Sequence, residues 1–216
     1  MNKIDYDLCV NSINNFLDYR YSDRNPTDDE YRNITDDCVN AFSKIAEECF
    51  KYGKFKDKWE YGDCSGHQLI IKSLKTNCKY QIGFDMEGIY LSTDLRHMAN
   101  LCYMSDDFWK LLLNLSELKG FVHEEESVRD ERSKEFPELF RANKSIIYRI
   151  LREYIFNVTN TTFRYTSCCV GSFKILCLFD RYFDDMINEF CVAFKMMYQL
   201  NYLLWKVSDL KNKSRK

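Results

Sequence analysis

Between positions 181 and 210 the chain runs without a glycine or a proline, and its apolar residues recur at helical spacing. Phe183, Ile187, Phe190, Phe194, Met197 and Leu204 make one seam. Met186, Phe190, Ala193, Met197, Leu200, Leu204 and Val207 make another, so the predicted helix carries a wide apolar stripe that must be covered on more than one side. At a rise of ~1.5 Å per residue it spans about 45 Å, enough to outrun one small core. Two arrangements satisfy it. It is the central helix of the chain's own core, or a neighbouring chain covers the first seam, which makes that seam the candidate assembly surface.

The remaining pattern is also mainly helical. Ile4, Leu8, Ile13, Phe16 and Leu17 predict an amphipathic helix over 4–19. Thr27 and Glu30 have the spacing of a capping box, opening a helix over about 28–51 that stops at Gly53. Residues 54–66 read as a loop. Strand-like runs come next at 67–74, 78–84 and 88–92, the last two flanking a hairpin turn at Asp85-Met86-Glu87-Gly88. Thr93-Asp94 is expected to cap a helix to about 104, and Ser105-Asp106-Asp107 a second one ending at Gly120. Pro137 suits the first turn of a helix to 157, and 161–179 reads as a second hairpin around Gly171. The expected class is α+β, predominantly α-helical, with a small antiparallel β component and a long C-terminal helix. Its expected organisation is an N-terminal part over 1–120, a charged connection or hinge at 121–136, and a C-terminal helical segment over 137–216.

Composition narrows the function. Hydrophobic residues make up 45% of the 216 and charged ones 30%, enough for a packed core. Lys and Arg total 31 against 33 Asp and Glu, a net charge of −2. That balance argues against a protein that coats nucleic acid with its whole surface, while leaving room for a local basic groove. Phosphate-cradling and hydrolase-elbow motifs of the GxxxxGK[ST], GxGxxG and GxSxG kinds are missing from the sequence. Cys64-Ser65-Gly66-His67 has the spacing of half a zinc site but no second pair. His123 with its three glutamates reads as a solvated face, and Asp184-Asp185 as acids favoured by a helix N-terminus. The expectation is a non-enzyme with no cofactor, metal or small-molecule substrate. Neither a signal peptide nor a membrane span is expected.

Ten cysteines are many for a chain expected to stay in a reducing compartment. Cys38, Cys49, Cys102 and Cys191 fall at apolar positions of helical patterns, where a thiol acts as a small hydrophobe. Cys64, Cys78, Cys168 and Cys169 lie in loop-like or strand-like segments and are the candidate disulfide residues. Adjacent cysteines rarely bridge each other, so the vicinal pair points to two different partners, one of which can lie on another chain.

Two resemblances bear on these patterns. Gly88-Ile89-Tyr90-Leu91-Ser92 followed by Trp109-Lys110-Leu111-Leu112 is similar to the strand-then-helix core of PC4-like coactivators, which bind single-stranded DNA across a curved antiparallel sheet. It implies a binding face supplied here by Lys72, Lys75, Lys79 and Tyr80, although an extra segment, 94–104, separates the strand from Trp109. Across the whole chain, the size, helical pattern, dense aromatics, abundant cysteines and expected lack of a secretion signal resemble the occlusion-body proteins (polyhedrins) of insect nudiviruses. That likeness implies a viral structural protein that crystallises in the host nucleus or cytoplasm and encases virions. Its partners would then be copies of itself and the virion cargo, with nucleic acid not expected. Segment exchange and intermolecular disulfides would knit the lattice, which ends as an extracellular body. A soluble helical protein that binds a host partner is the remaining alternative.

Overall fold

A computed structural model describes residues 6–22, 27–62, 68–84, 87–124, 146–159, 170–179 and 182–214. The fold is mainly helical and carries a six-stranded antiparallel sheet. Helix α1 is Tyr6–Tyr21 and α2 is Asp28–Gly53. The capping box forms: the Glu30 amide donates to Thr27 Oγ1 (3.3 Å) and the Thr27 amide to Glu30 Oε2 (3.0 Å). At the other end the left-handed residue is Lys54 (φ 49°), whose amide donates to the Phe50 carbonyl. Gly53 is the last residue of α2, and the Phe55 ring occupies the space its side chain would need.

Strands β1 (Trp59–Tyr61), β2 (Gln68–Ser73), β3 (Lys79–Phe84) and β4 (Gly88–Asp94) come after α2. A 3-10 helix at Met98–Tyr103 leads into α3 (Asp106–Ser116) and β5 (Phe121–Glu124). Then come α4 (Ile146–Thr159), β6 (Ser172–Leu178) and α5 (Phe183–Lys213). The strand order is β1-β2-β3-β4-β6-β5.

Several expectations change, and His123, expected on a solvated face, is instead buried with a ring nitrogen in a 2.8 Å hydrogen bond to the Val170 carbonyl. The segment 54–66, expected as loop, contains β1, which pairs with β2 through Trp59 opposite Ser73 and Glu60 opposite Lys72. Thr93 and Asp94 end β4 instead of capping a helix, because the side chain of Asn201 donates to Thr93 Oγ1 and to the Asp94 carbonyl, both at 3.2 Å. In place of the expected α-helix the chain turns into the 3-10 helix, entered through His97 in the left-handed region (φ 59°). Phe121–Glu124, the start of the expected charged connection, form β5 against β6. The rest of that connection, residues 137–145 and the first half of the 161–179 hairpin lie outside the described residues.

The chain forms two compact units, each drawn from separated stretches: 1–91 with 176–195, and 92–175 with 196–216. The first holds α1, α2, β1–β3 and the N-terminal part of α5. Its centre is aromatic. Phe194 lies 4.8 Å from Tyr80, 5.5 Å from Trp59, 5.6 Å from Phe50 and 5.7 Å from Phe55, centroid to centroid. Trp59 also stacks on Phe50 at 4.4 Å with the rings nearly parallel. A second group, Phe16, Phe42 and Phe84, joins α1 and α2 to β3.

The second unit holds α3, α4, β5, the 3-10 helix and the C-terminal part of α5. Buried amides fasten that part of α5. Asn201 accepts from the Arg96 amide (3.2 Å) as well as making its two donations, and Asn100 Nδ2 donates to the Leu204 carbonyl (2.9 Å) and to Ser208 Oγ (2.7 Å). Lys211 closes the array by donating to Asn100 Oδ1 (3.2 Å) while lying 3.9 Å over the Tyr103 ring.

In the first unit Gly88 sits where a Cβ would fall on the Cys177 carbonyl of β6. Gly88→Ala should therefore force backbone apart and cost about 1–3 kcal/mol, the usual range for overpacking. Urea denaturation followed by circular dichroism checks it; an unchanged midpoint would show that the strands have room.

Candidate functional site

In the first unit the pleat sorts side chains between two faces. Along β2, Leu69, Ile71 and Ser73 are buried, while Gln68, Ile70 and Lys72 point the other way. Lys72 lies opposite Lys79, and Ile70 opposite Gln81, so these residues share the outward face with Glu60 and Tyr90. Lys72 Nζ pairs with Glu60 at 3.4 Å, and the Tyr90 hydroxyl donates to Gln68 Oε1 at 3.4 Å.

This face ends at an open concavity of about 490 Å3 lined by Phe55, Lys56, Asp57, Lys58, Leu74 and Lys75. Asp57 organises it. One carboxylate oxygen accepts from the Lys58 amide (2.7 Å) and the Lys75 amide (3.2 Å), the other from the Ser73 hydroxyl (2.6 Å). Ser73 Oγ in turn accepts from the amide and hydroxyl of Thr76, and Asn77 completes the turn in the left-handed region (φ 59°). The lead into β1 and the β2–β3 turn are thereby pinned together, and Lys56, Lys58 and Lys75 stand around the hollow. With Lys72 and Lys79, five lysines occupy the face and its rim.

Of the residues expected to bind nucleic acid, Lys72, Lys75 and Lys79 are brought together and Tyr80 is not. Tyr80 alternates inward from Lys79 and Gln81 and is fully buried beneath Trp59 and Phe194. Lys56, Lys58 and Tyr90 are additions to that set. The sequence signal for the two lysines is the alternation Lys54-Phe55-Lys56-Asp57-Lys58, which becomes a surface once β1 exists.

The seam expected to serve assembly is enclosed: Ile187, Phe190, Phe194, Met197 and Leu204 are buried and Phe183 is half-buried. An exposed apolar stripe lies elsewhere, in the second unit. On α4, Ile146 and Ile150 are buried, while Tyr148, Leu151 and Ile155 recur at helical spacing on an exposed side, Ile155 at 58%.

Cys64, Cys168 and Cys169 lie outside the described residues, as does His67. Cys78 is buried and its thiol donates to the Thr76 carbonyl (3.6 Å). Cys102, expected at an apolar position, is exposed because it lies on the 3-10 helix, where the α-helical period no longer applies. Burial pushes the Cys38 thiol up to about 12. The neighbouring Cys191 thiol and burial together push the Cys49 thiol on α2 well above the ordinary thiol value. None of the seven described cysteines is in a disulfide, and among the described residues no cluster of His, Cys, Asp and Glu is placed to hold a metal ion. The described helices include none long and apolar enough to cross a membrane.

No family profile, curated protein or solved structure matches the chain.

Thiol reactivity is set by this placement, since alkylation needs an accessible thiolate. Among the described cysteines, Cys102 should react with iodoacetamide at pH 8 well before Cys38 and Cys78, which should stay protected until denaturant is added. Peptide mass mapping over a time course checks the order; equal rates would contradict the buried placements.

Proposed function

We propose that the outward face of β1–β4 in the first unit binds single-stranded nucleic acid. The observation that carries this reading is the convergence of Lys56, Lys58, Lys72, Lys75 and Lys79 on one polar sheet face and its end hollow. A chain of net charge −2 has no general attraction for a polyanion, so a lysine cluster confines contact to one place. The shape favours a single strand. A shallow sheet face offers no helix or ribbon to enter a major groove, whereas splayed bases can lie against Tyr90 and Phe55 while phosphates meet the lysines. The same chemistry is what the PC4-like resemblance implies, with Lys56 and Lys58 added to its face and Tyr80 removed from it.

Fluorescence anisotropy with a labelled oligothymidine tests the reading. Lys58→Glu and Lys75→Glu should each weaken binding about tenfold at low salt. The slope of log affinity on log salt should fall by about 0.7 for each phosphate contact removed from a single strand. Retention that is absent at low salt, or indifferent to both substitutions, would overturn it.

The α4 stripe favours a second reading, the one implied by the whole-chain resemblance: a non-catalytic subunit of a viral occlusion body. Tyr148, Leu151 and Ile155 supply partly exposed apolar surface for contact with a second copy, and the small net charge does little to keep copies apart. In this reading α4 makes the contact in place of the enclosed seam of α5, and Cys102 is an exposed thiol for bridging copies. Cells expressing the chain should then give an insoluble fraction with sharp powder-diffraction rings, and Ile155→Asp should abolish them. A soluble species whose mass by light scattering is that of one chain at every concentration would sink this reading.

A further inference from the structure

The hollow lined by Phe55, Lys56, Asp57, Lys58, Leu74 and Lys75 stands at a corner of the sheet. Strand β1 is the edge strand, residues 56–58 lead into it, and Leu74 and Lys75 follow the last residue of β2. Hydrogen bonds across these two segments fix the walls. Asp57 accepts from the amides of Lys58 and Lys75 and from the Ser73 hydroxyl, and the Leu74 amide donates to the Lys58 carbonyl at 2.9 Å. Behind them the Asn77 amide donates to the Ser73 carbonyl at 2.9 Å. Both Asp57 oxygens thus serve the walls, and each of the two joined segments carries lysine into the lining. Three lysines against one carboxylate leave the hollow with an excess of two positive charges. Its apolar part is the half-buried Phe55 and Leu74, which is 53% exposed.

We propose, resting on the nucleic-acid reading of the face, that this hollow holds a phosphomonoester attached to a nucleoside: the phosphorylated end of a strand, or a free nucleotide. Charge is the first reason. A phosphate inside a strand carries a single negative charge, whereas a terminal phosphomonoester carries about −1.5 to −2 at pH 7, close to the excess in the lining. Position is the second. A strand laid along the outward face runs out of sheet at this corner, so what it presents there is an end. Size is the third, since about 490 Å3 falls within the ~300–1,000 Å3 of sites that take small ligands. The lysines of the lining meet the phosphate oxygens, and the terminal base lies against Leu74 and Phe55. Because Asp57 ties the segments together, the lysine backbones are already in place before the ligand arrives, which lowers the ordering cost of binding.

Isothermal titration calorimetry on the full chain tests this with short oligothymidines bearing a 5′-phosphate, a 3′-phosphate or hydroxyls at both ends. Thymidine monophosphate is compared with thymidine in the same way. One phosphorylated end should bind about tenfold more tightly at low salt than the hydroxyl-ended strand. It should also outbind a hydroxyl-ended strand one nucleotide longer, which restores a backbone charge without an end phosphate. Lys56→Gln and Lys75→Gln, both at exposed positions, should each erase the preference. Lys79→Gln, on the face but outside the lining, should weaken every strand and keep the ratio. Saturable binding of the monophosphate, with none of thymidine, adds free nucleotides as a source; binding of strand ends alone makes the strand the ligand. Equal affinity for all ends overturns the inference and leaves the nucleic-acid reading of the face standing. A preference that survives both Lys56→Gln and Lys75→Gln does the same, because the phosphate is then held elsewhere. No binding by any strand or nucleotide overturns both.

Discussion

The packing around Phe194 sets where everything in the first unit can go. One ring from α5 is held by Phe50 at the end of α2, Phe55 just beyond it, Trp59 at the start of β1 and Tyr80 in β3. Each of these aromatics buries a large area and prefers a tilted or edge-on neighbour, so the cluster fixes orientation as well as contact. Once Trp59 and Tyr80 point inward, the period of two leaves Glu60, Lys79 and Gln81 no choice but the outward face. The lysine-rich surface is in this sense a by-product of how the core is filled. The same packing lays the end of α2 along α5.

The second unit is held by a different kind of interaction. Here α5 is fastened by buried amides that reach the backbone of the 93–104 segment, with Asn201 making three hydrogen bonds while fully buried. A buried amide that lost these partners would be costly, so the geometry of Thr93, Asp94 and Arg96 is specified more tightly than apolar packing alone would require. That specification overrides the local helix-start signal at Thr93-Asp94. Tertiary hydrogen bonding wins over a capping preference worth about 1 kcal/mol.

Much of the fold is legible because long periodic elements announce themselves. The helix expected over 181–210 is Phe183–Lys213, the one opened by Thr27 is Asp28–Gly53, and the runs 67–74, 78–84 and 88–92 are β2, β3 and β4. Trp59-Glu60-Tyr61 reads as loop because three residues are too few to show a period; the strand exists through its pairing with Lys72 and Ser73. The candidate face is half legible. Lys72, Lys75 and Lys79 stand out by charge, and the pleat agrees, whereas Tyr80 stands out by being aromatic and the pleat turns it inward.

Neither compact unit is a continuous piece of chain: the boundaries fall inside β4, β6 and α5, so each element is shared along its length. A growing polypeptide thus has α1, α2 and the first strands long before it has Phe194, the ring around which their aromatics gather. The aromatic cluster around Trp59 and Tyr80 cannot close on Phe194 until 114 further residues have followed Tyr80. Synthesis order, and not only final stability, then determines how long this protein shows its most adhesive residues to the cell.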